Sequence, residues 1–160
     1  MKRILEILEQ DARCSTEEIA TRLGMTAQDV ADAIRRMEQD RTILGYRALV
    51  DWQKASDDRL YAFIEVKATP QPRSGFEEVA DHISHFPQVH SLYLMSGQYD
   101  LIVVVEGTDL RDIANFVAEE LAPHPQVVST STHFVLRTYK QDGVLVASDK
   151  PGDKRLLVSP

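Results

Sequence analysis

Cysteine, long apolar runs and a surplus of basic residues are all lacking in this sequence. With one cysteine among 160 residues, Cys14, the chain has no internal disulfide and no metal site built from several thiolates. Its longest apolar run, Leu101 to Val105, is far shorter than the roughly 20 residues needed to span a bilayer. These absences predict a cytoplasmic globular protein without a membrane partner, stabilised by packing or association, with Cys14 as a small buried side chain.

The formal net charge of −7 argues against a protein that binds nucleic acid mainly through an overall positive charge. Residues 1–57 carry nine basic and eleven acidic side chains, so this part of the chain is not basic either. If it binds DNA, its phosphate contacts must come from a few arginines, multiplied over several copies in one assembly.

Three short helices are predicted at the start of the chain. Apolar residues at helical spacing mark the first over residues 2–11, and Ser15 with Glu18 forms the capping box that starts the second. Gly24 ends the second helix in the left-handed conformation, and Thr26 caps the third. The predicted buried stripes comprise Ile4, Leu5, Ile7, Leu8, Ile19, Ala20, Leu23, Val30, Ala33, Ile34 and Met37.

Three helices with a tight, glycine-containing turn before the last fit a helix-turn-helix unit, whose final helix enters the major groove of DNA. Residues 42–50 are β-rich, interrupted by Gly45, and predict a wing or a strand leading out of this N-terminal domain, residues 1–50. The side chains predicted to read base edges or to reach phosphates are Thr26, Ala27, Gln28, Arg35, Arg36, Arg41 and Arg47.

The same arginines also fit a solvated helix face that makes no contact with DNA. Asp29, Asp32 and Asp40 lie at helical spacing from them and could pair with them. Acidic residues near the start of a recognition helix would also repel phosphate. A sensor whose N-terminal domain has lost DNA binding therefore stays open as an alternative.

A polar linker, residues 51–58, leads into a second predicted domain at residues 59–140. Residues 141–160 are predicted to form a turn or mobile tail, in which Leu156–Val158 could pair with a neighbour. Helices are predicted to open at the capping box Ser74-Gly-Phe-Glu77 and at Gly107-Thr-Asp109. The predicted strands are residues 60–68, 89–95, 100–106 and 127–139. The residues predicted to face inward from the second of these helices are Leu110, Ile113, Ala114, Val117 and Leu121.

The order β-α-β-β-α-β predicts a ferredoxin-like domain, with one antiparallel sheet and both helices on one of its faces, and hence an α+β protein. An internal repeat supports this, because Phe86-Pro-Gln-Val-His-Ser91 returns as His124-Pro-Gln-Val-Val-Ser129 between a helix and the next strand. Alternation along the last strand leaves neither side of the sheet fully polar. The uncovered face is therefore predicted to pair with a second copy of the chain.

The motifs Ile43-Leu-Gly-Tyr46, Ser96-Gly-Gln-Tyr-Asp100 and Thr132-His-Phe-Val135 resemble, in order and spacing, those of the Lrp/AsnC family. These are the leucine-responsive or feast/famine regulators of bacteria and archaea, and the resemblance covers residues 1 to about 140. It implies a sequence-specific transcriptional regulator with a winged helix-turn-helix and a RAM- or ACT-like sensor domain. It also implies double-stranded DNA as partner, no cofactor, and homodimers that assemble further, for example into octamers.

In many members of that family a free amino acid binds between dimers, near the Gly-x-Tyr-Asp turn. Carried over by position, the resemblance implies effector contacts from Gly97, Gln98, Tyr99 and Asp100, with Ser131 and Thr132 as neighbours. Glycine lets a ligand approach the backbone, exposed amides can hold its carboxylate, and Asp100 could accept from its ammonium group. The same turn also fits an ordinary hairpin in which Asp100 caps backbone amides.

An enzyme is the second alternative, because some siroheme decarboxylases resemble the same family and use histidine. The five histidines of this chain show no metal-ligand spacing, and no serine or cysteine nucleophile has an evident base. We therefore predict neither catalytic activity nor a metal site. The histidines are His82, His85, His90, His124 and His133.

Overall fold

The computed structural model describes residues 1–52, 54–55 and 59–146, and the chain divides into two compact units after Leu49. The first unit is helical, and the second contains a four-stranded sheet with helices. None of the described helices is long and apolar enough to cross a membrane. The predicted α+β fold class, with a helical unit followed by a sheet-containing unit, is confirmed.

The first unit contains helices α1 (Lys2–Gln10), α2 (Thr16–Leu23) and α3 (Ala27–Gln39). The predicted capping box forms at α2, where the Glu18 amide donates to Ser15 Oγ at 3.2 Å and the Ser15 amide donates to Glu18 Oε2 at 2.9 Å. Gly24 follows with φ +67°, a conformation that costs a glycine little. The turn between α2 and α3 is therefore as short as a helix-turn-helix unit requires.

The core of the first unit is built from one stripe of each helix. Ile4, Ile19, Val30 and Met37 are fully buried there. Cys14 is also buried against them, as predicted, and burial raises the pKa of its thiol. The helix period read from the sequence therefore identified the packing surface of all three helices.

The predicted wing or strand at residues 42–50 does not form. Residues 44–50 carry no regular secondary structure and lie exposed. The chain is instead tied back to α3, since the Ile43 amide donates to the Met37 carbonyl at 2.8 Å and the Tyr46 hydroxyl donates to Glu38 at 3.0 Å. In the described part of the first unit no other strand is present to pair with this segment, so its β-propensity has no ladder to join.

The second unit has a ferredoxin-like sheet in the strand order β2-β3-β1-β4, with antiparallel neighbours throughout. Two helices and a π-helical turn, Val117–Leu121, connect the strands. The strands are β1 (Leu60–Ala68), β2 (Val89–Leu94), β3 (Leu101–Gly107) and β4 (Val127–Phe134), and the helices are α4 (Glu77–Ser84) and α5 (Leu110–Phe116).

Both helices pack on one face of this sheet. Alternate residues of β1 and β3, among them Ile64 and Val103, are fully buried beneath Val79 and Ile83 of α4 and Ile113 of α5. Neither of these two helices covers the opposite face of the sheet. We call it the open face.

One of the two helix starts in the second unit differs from the prediction. The capping box Ser74–Glu77 is absent: α4 begins at Glu77 behind Phe76, which makes no side-chain cap. Ser74 lies instead in a turn closed by two hydrogen bonds between Gln71 and Gly75, at 2.8 and 2.9 Å. At α5 the predicted cap forms, with the Asp112 amide donating to Asp109 at 2.8 Å.

The inward face of α5 was predicted only in part. Ile113 and Leu121 are buried, but Leu110 and Ala114 are exposed, and Phe116 is buried in their place. The π-helical turn after Phe116 is wider than an α-helical turn, so the 3.6-residue period does not continue through it. Edge-to-face packing of Phe116 on Phe86, with ring centroids 5.4 Å apart, adds to its burial.

The last strand is shorter than predicted, ending at Phe134 instead of Tyr139. A small hairpin follows, in which Lys140–Gln141 (β5) pairs with Val144–Leu145 (β6). Asp142 and Gly143, both at positive φ, form its two-residue turn. The tail predicted from residue 141 therefore starts as an ordered hairpin, while Leu156–Val158 lies outside the described residues.

Candidate DNA-binding and effector surfaces

The N-terminus of α3 uses two of the predicted DNA-reading residues to build the helix itself. Thr26 Oγ1 accepts from the Asp29 amide at 3.1 Å and donates to Asp29 Oδ2 at 2.7 Å. Ala27 is half-buried and packs against the core of the first unit. Among the three residues predicted here, Gln28 is the one with an exposed side chain that also makes a contact farther along α3.

Gln28, Asp32 and Arg35 lie on one outward face of α3 at i, i+4 and i+7 spacing. Asp32 joins the other two: Gln28 Nε2 donates to its Oδ2 at 3.1 Å, and Arg35 Nη1 donates to its Oδ1 at 2.7 Å. The hydrogen bond from Gln28 and the nearby Arg35 charge hold the pKa of Asp32 below its usual range. The carboxylate is therefore charged and occupied on both oxygens.

The remaining predicted phosphate contacts are less constrained. Arg36 Nε donates to the Asp32 carbonyl at 3.3 Å. Arg41 and Arg47 are exposed, and neither makes an ion pair with any described residue. The interpretation of a solvated face paired to aspartates therefore fits Arg35 alone, because Asp29 is occupied by Thr26 and Asp40 Oδ1 accepts from the Thr42 amide at 2.9 Å.

The Gly97–Asp100 turn joins β2 to β3 and is fastened to the end of β1 by Asp100. Its Oδ2 accepts from the Ala68 amide at 2.9 Å, and the Lys67 ammonium lies 3.2 Å from Oδ1 and 3.1 Å from Oδ2. The hydrogen bond from Ala68, and then Lys67, lower the pKa of the Asp100 carboxyl. Asp100 therefore serves the chain as a brace, which is the role that the hairpin interpretation gave it.

The backbone amides before Asp100 have no such role. The N–H groups of Gly97, Gln98 and Tyr99 make no hydrogen bond with the described residues. Gly97 has φ +152° and is exposed, as is Gln98, while Tyr99 is half-buried. Three consecutive unpaired amides beside an open glycine form a surface that can receive a carboxylate.

Ser131 and Thr132 point to opposite sides of the sheet. Thr132 pairs with the buried Ile64 and so faces the helices, whereas Ser131 pairs with Glu65 and faces the open side. Lys67 also faces the open side, and its direct partner on β4 is Ser129. Ser129 thus lies opposite the lysine that holds Asp100, whereas the two predicted neighbours lie opposite Glu65 and Ile64.

The open face has an apolar centre with polar pairs at its sides. Its apolar residues are partly exposed, Phe63 at 44% and Tyr93 at 55%. His133 Nε2 lies 3.2 Å from Glu65 Oε2 at one side. At the other, Tyr61 donates to Glu106 at 2.7 Å, and desolvation, with this carboxylate, raises the pKa of Tyr61 to about 12. The apolar centre comprises Phe63, Tyr93, Ile102 and Val104.

The histidines do not gather into a site. His82 and His124 have ring centroids 4.9 Å apart, and desolvation, followed by the His82 charge, lowers the pKa of His124. Among the described residues, no three His, Cys, Asp or Glu side chains converge as metal ligands. The absence of a metal site and of catalysis stays a prediction.

Two known domain families match this chain. Residues 2–38 match the AsnC-type helix-turn-helix domain, and residues 61–145 match the Lrp/AsnC ligand binding domain. The uncharacterized HTH-type transcriptional regulator YugG of Bacillus subtilis is 43% identical over 158 residues, covering 98% of this chain and 95% of that protein. The chain belongs to the Lrp/AsnC family of transcriptional regulators.

Other Lrp/AsnC proteins extend the comparison. The leucine-responsive regulatory protein of Escherichia coli K12 is 27% identical over 145 residues, covering 91% of this chain and 88% of that protein. The feast or famine regulatory protein of Mycobacterium tuberculosis, solved with L-methionine, superposes with a TM-score of 0.70 at 23% identity, covering 88% of this chain and 92% of that one. At that identity the solved structure shows a shared fold.

Two members of the candidate surfaces in this Lrp/AsnC protein were missed from the sequence. Lys67 braces Asp100, and Ser129 pairs with Lys67. The alternation of buried and exposed residues along β1 predicts that Glu65 and Lys67 face outward. It does not predict the partner of Lys67. Lys67 lies opposite Ser129 in the regular register of β1 with β4, and no local pattern encodes that register.

Asp100 supports a prediction about stability at acid pH. Its folded-state pKa is lowered, so its stabilising contribution is present above about pH 4 and is lost as the pH falls through the folded pKa. Asp100→Asn should lower the free energy of unfolding by about 1 to 2 kcal/mol at pH 7. Urea unfolding at pH 7, 4 and 3 should show the difference from the unchanged protein shrinking as the pH falls.

The matched control for this measurement is Asp81→Asn, since that side chain is 79% exposed. It should unfold like the unchanged protein at all three pH values. A constant difference between Asp100→Asn and the unchanged protein from pH 7 to pH 3 would mean that the ionised form of Asp100 does not stabilise the fold.

Proposed function

We propose that this Lrp/AsnC regulator acts in the cytoplasm as a homo-oligomer that binds double-stranded DNA through α3 and responds to an amino acid bound at the Gly97–Asp100 turn. The observation that carries the proposal is the combination, in one chain, of an intact helix-turn-helix geometry and a ligand-binding unit with three unpaired amides. No chemical step is assigned to it, because its relatives are transcriptional regulators.

DNA binding is supported by the exposure and the charge of α3 and the segment after it. The buried stripe of α3 leaves Gln28 and Arg35 on the side away from the core, where a helix in the major groove presents its reading residues. Arg41 and Arg47 make no ion pair with an acidic side chain among the described residues. No such pair therefore has to break before these arginines bind a phosphate. Two or more copies bound together compensate for the acidic net charge.

An amino-acid effector is supported by the chemistry of the turn. The amides of residues 97–99 can hold a carboxylate, and Asp100 is kept in place beside them by Ala68 and Lys67. Solved relatives from Mycobacterium tuberculosis and Neisseria meningitidis contain L-methionine. In the isolated chain these amides lie open, so a second subunit has to complete the enclosure of a ligand.

Assembly through the open face is supported by its apolar centre. Phe63 and Tyr93 form a contiguous, partly exposed apolar patch with their cross-strand partners Val104 and Ile102, and a two-fold arrangement would bury this patch against its copy. Polar pairs at the sides of the patch fit the rim of an interface. The dimer formed in this way would contain two copies of α3.

The test of the function is a gel shift of the purified protein with its own upstream DNA, at low and moderate salt, with and without pooled L-amino acids. We expect a specific, salt-sensitive shift that one of the pools changes. A shift insensitive to every pool would contradict the effector, and no shift at low salt would favour the sensor without DNA binding. A change in the haem-type Soret absorbance on adding a siroheme precursor would instead favour the enzyme.

Arg41 and Arg47 provide a quantitative prediction for the same assay. Replacing both by alanine should weaken binding to all DNA sequences alike and reduce the slope of log affinity against log salt by about 0.9 per lost phosphate contact. Arg13→Ala, which removes one positive charge from the exposed turn after α1, is the control and should leave the slope unchanged. An unchanged slope in the double variant would place the phosphate contacts elsewhere.

A further inference from the structure

The outward face of α3 carries a carboxylate at its centre, where nucleic acid would be read. Asp32 lies between Gln28 and Arg35, each one turn away along the helix. Its side chain is 44% exposed, and that of Arg35 is 61% exposed, so the three groups form a surface array with no buried ion pair. An isolated ion pair this exposed contributes little to stability, so folding alone does not explain the arrangement.

The hydrogen bonds fix which atoms of Gln28 and Arg35 remain available. Donation from Gln28 Nε2 to Asp32 turns that amide, so that its second N–H and its carbonyl oxygen stay free. This is the donor and acceptor pair that a glutamine offers to the edge of an adenine. Arg35 keeps donors beyond the one that Asp32 holds, and the fixed end of its guanidinium limits where they point.

The Asp32 carboxylate also discriminates by itself between hydrogen-bond donors and acceptors on the DNA. A charged Asp32 accepts hydrogen bonds and donates none, so it tolerates the amino groups of cytosine and adenine in the major groove. It repels the carbonyl and ring-nitrogen acceptors of guanine and the phosphates of a misplaced backbone. A mismatch here leaves the carboxylate facing an acceptor without a compensating donor.

We propose that Asp32 determines the sequence specificity of this regulator, by holding Gln28 and Arg35 as one reading unit and by excluding acceptor groups from the centre of the α3 surface. The proposal rests on the proposed function, because it requires α3 to enter the major groove. Asp32 then lowers affinity for DNA in general and lowers it least for the correct site. Specificity is obtained as a difference between these two affinities.

The test is a selection from a randomised DNA duplex library with four full-length proteins: the unchanged chain, Asp32→Asn, Asp29→Asn and Gln28→Ala. Affinities for the enriched duplex and for a scrambled duplex are then measured by fluorescence anisotropy at several salt concentrations. Asp32→Asn should bind the scrambled duplex more tightly, with the ratio of the two affinities falling about ten-fold and one base-pair preference relaxing. Gln28→Ala should relax the same base pair.

Asp29→Asn is the matched control because it removes the same charge one turn from Asp32. Its carboxylate contacts Thr26 and neither Gln28 nor Arg35, and the asparagine oxygen can still accept from the Thr26 hydroxyl. It should raise affinity for both duplexes and leave their ratio unchanged. If Asp29→Asn lowers the ratio as much as Asp32→Asn does, the effect is general electrostatics and the proposal is overturned.

DNA recognition by α3 and the role of Asp32 are contradicted by different results. If the unchanged protein enriches no sequence from the library, DNA recognition itself is wrong, and the proposal for Asp32 is overturned with it. If the unchanged protein enriches a sequence and Asp32→Asn keeps both the base preference and the affinity ratio, only the proposal for Asp32 is overturned. Circular dichroism of each variant should show that α3 is retained. The substituted residues all lie outside the buried stripe of α3, so the helix does not need them for packing.

Discussion

Val104→Lys should convert the oligomer into monomers. Val104 lies at the centre of the open face, paired with Phe63 on β1 and with Ser91 on β2. In the proposed dimer the two-fold axis brings two copies of the new ammonium group into one apolar interface, where neither has a carboxylate partner. An unpaired buried charge costs about 3 kcal/mol or more, which corresponds to a dimer at least roughly a hundred-fold weaker.

Sedimentation velocity over a range of protein concentrations measures this change. The fold itself should persist, since in the monomer a lysine at position 104 reaches solvent from the open face. Val128→Lys is the control, because Val128 is 65% exposed at the irregular end of β4, outside the apolar centre. Equal dissociation in both variants, or an unchanged oligomer in Val104→Lys, would contradict assembly through this face.

Gly97→Val should abolish the response to an amino acid while leaving DNA binding intact. A β-branched residue at φ +152° is strained, so the backbone of the turn should shift and move the amides of residues 97–99 out of their present arrangement. Losing a charge-assisted hydrogen bond to a ligand carboxylate costs about 1.5 to 3 kcal/mol, or roughly 10- to 100-fold in affinity. The thermal shift produced by pooled L-amino acids should therefore disappear at concentrations that stabilise the unchanged protein.

Gln98→Ala separates the backbone from the side chain at the same turn. Its side chain is exposed and makes no hydrogen bond with the described residues, so its removal leaves all three amides in place. It should respond to the amino acids like the unchanged protein. A response lost in Gln98→Ala but retained in Gly97→Val would mean that the side chain of Gln98, and not the backbone, holds the effector.

The helices of the first unit were predictable because their signals are local. The capping box at Ser15, the left-handed Gly24 and the apolar period of α3 each depend on residues a few positions apart. The same local reasoning failed at Ser74, where a turn through Gln71 and Gly75 takes the residues of the expected cap. It failed again in α5, where Leu110 and Ala114 are exposed and Phe116 is buried.

The candidate sites were predictable as segments but not as arrangements. The outward residues of α3 follow from its period, and the turn at Gly97–Asp100 follows from its composition and from the family resemblance. That Asp100 is held by Lys67 and Ala68, and that Ser131 and Thr132 face opposite ways, depends on the register of three strands. Hydrogen bonds between residues some thirty positions apart leave no trace in a local pattern.

The sequence by itself determined the element order, the ferredoxin-like topology, the buried stripes of the first three helices and the family. Each of these follows from periodicity and from short motifs. An apolar residue at every second position indicates one buried face of a strand, and one at every third to fourth position indicates one buried face of a helix. Only the tertiary structure decided that residues 44–50 form no strand and that Asp100 is held by Ala68 and Lys67 of a neighbouring strand. A β-strand forms only where a neighbouring strand offers hydrogen bonds, and a partly buried charge is stable only beside a partner. Tertiary packing determines whether either is present.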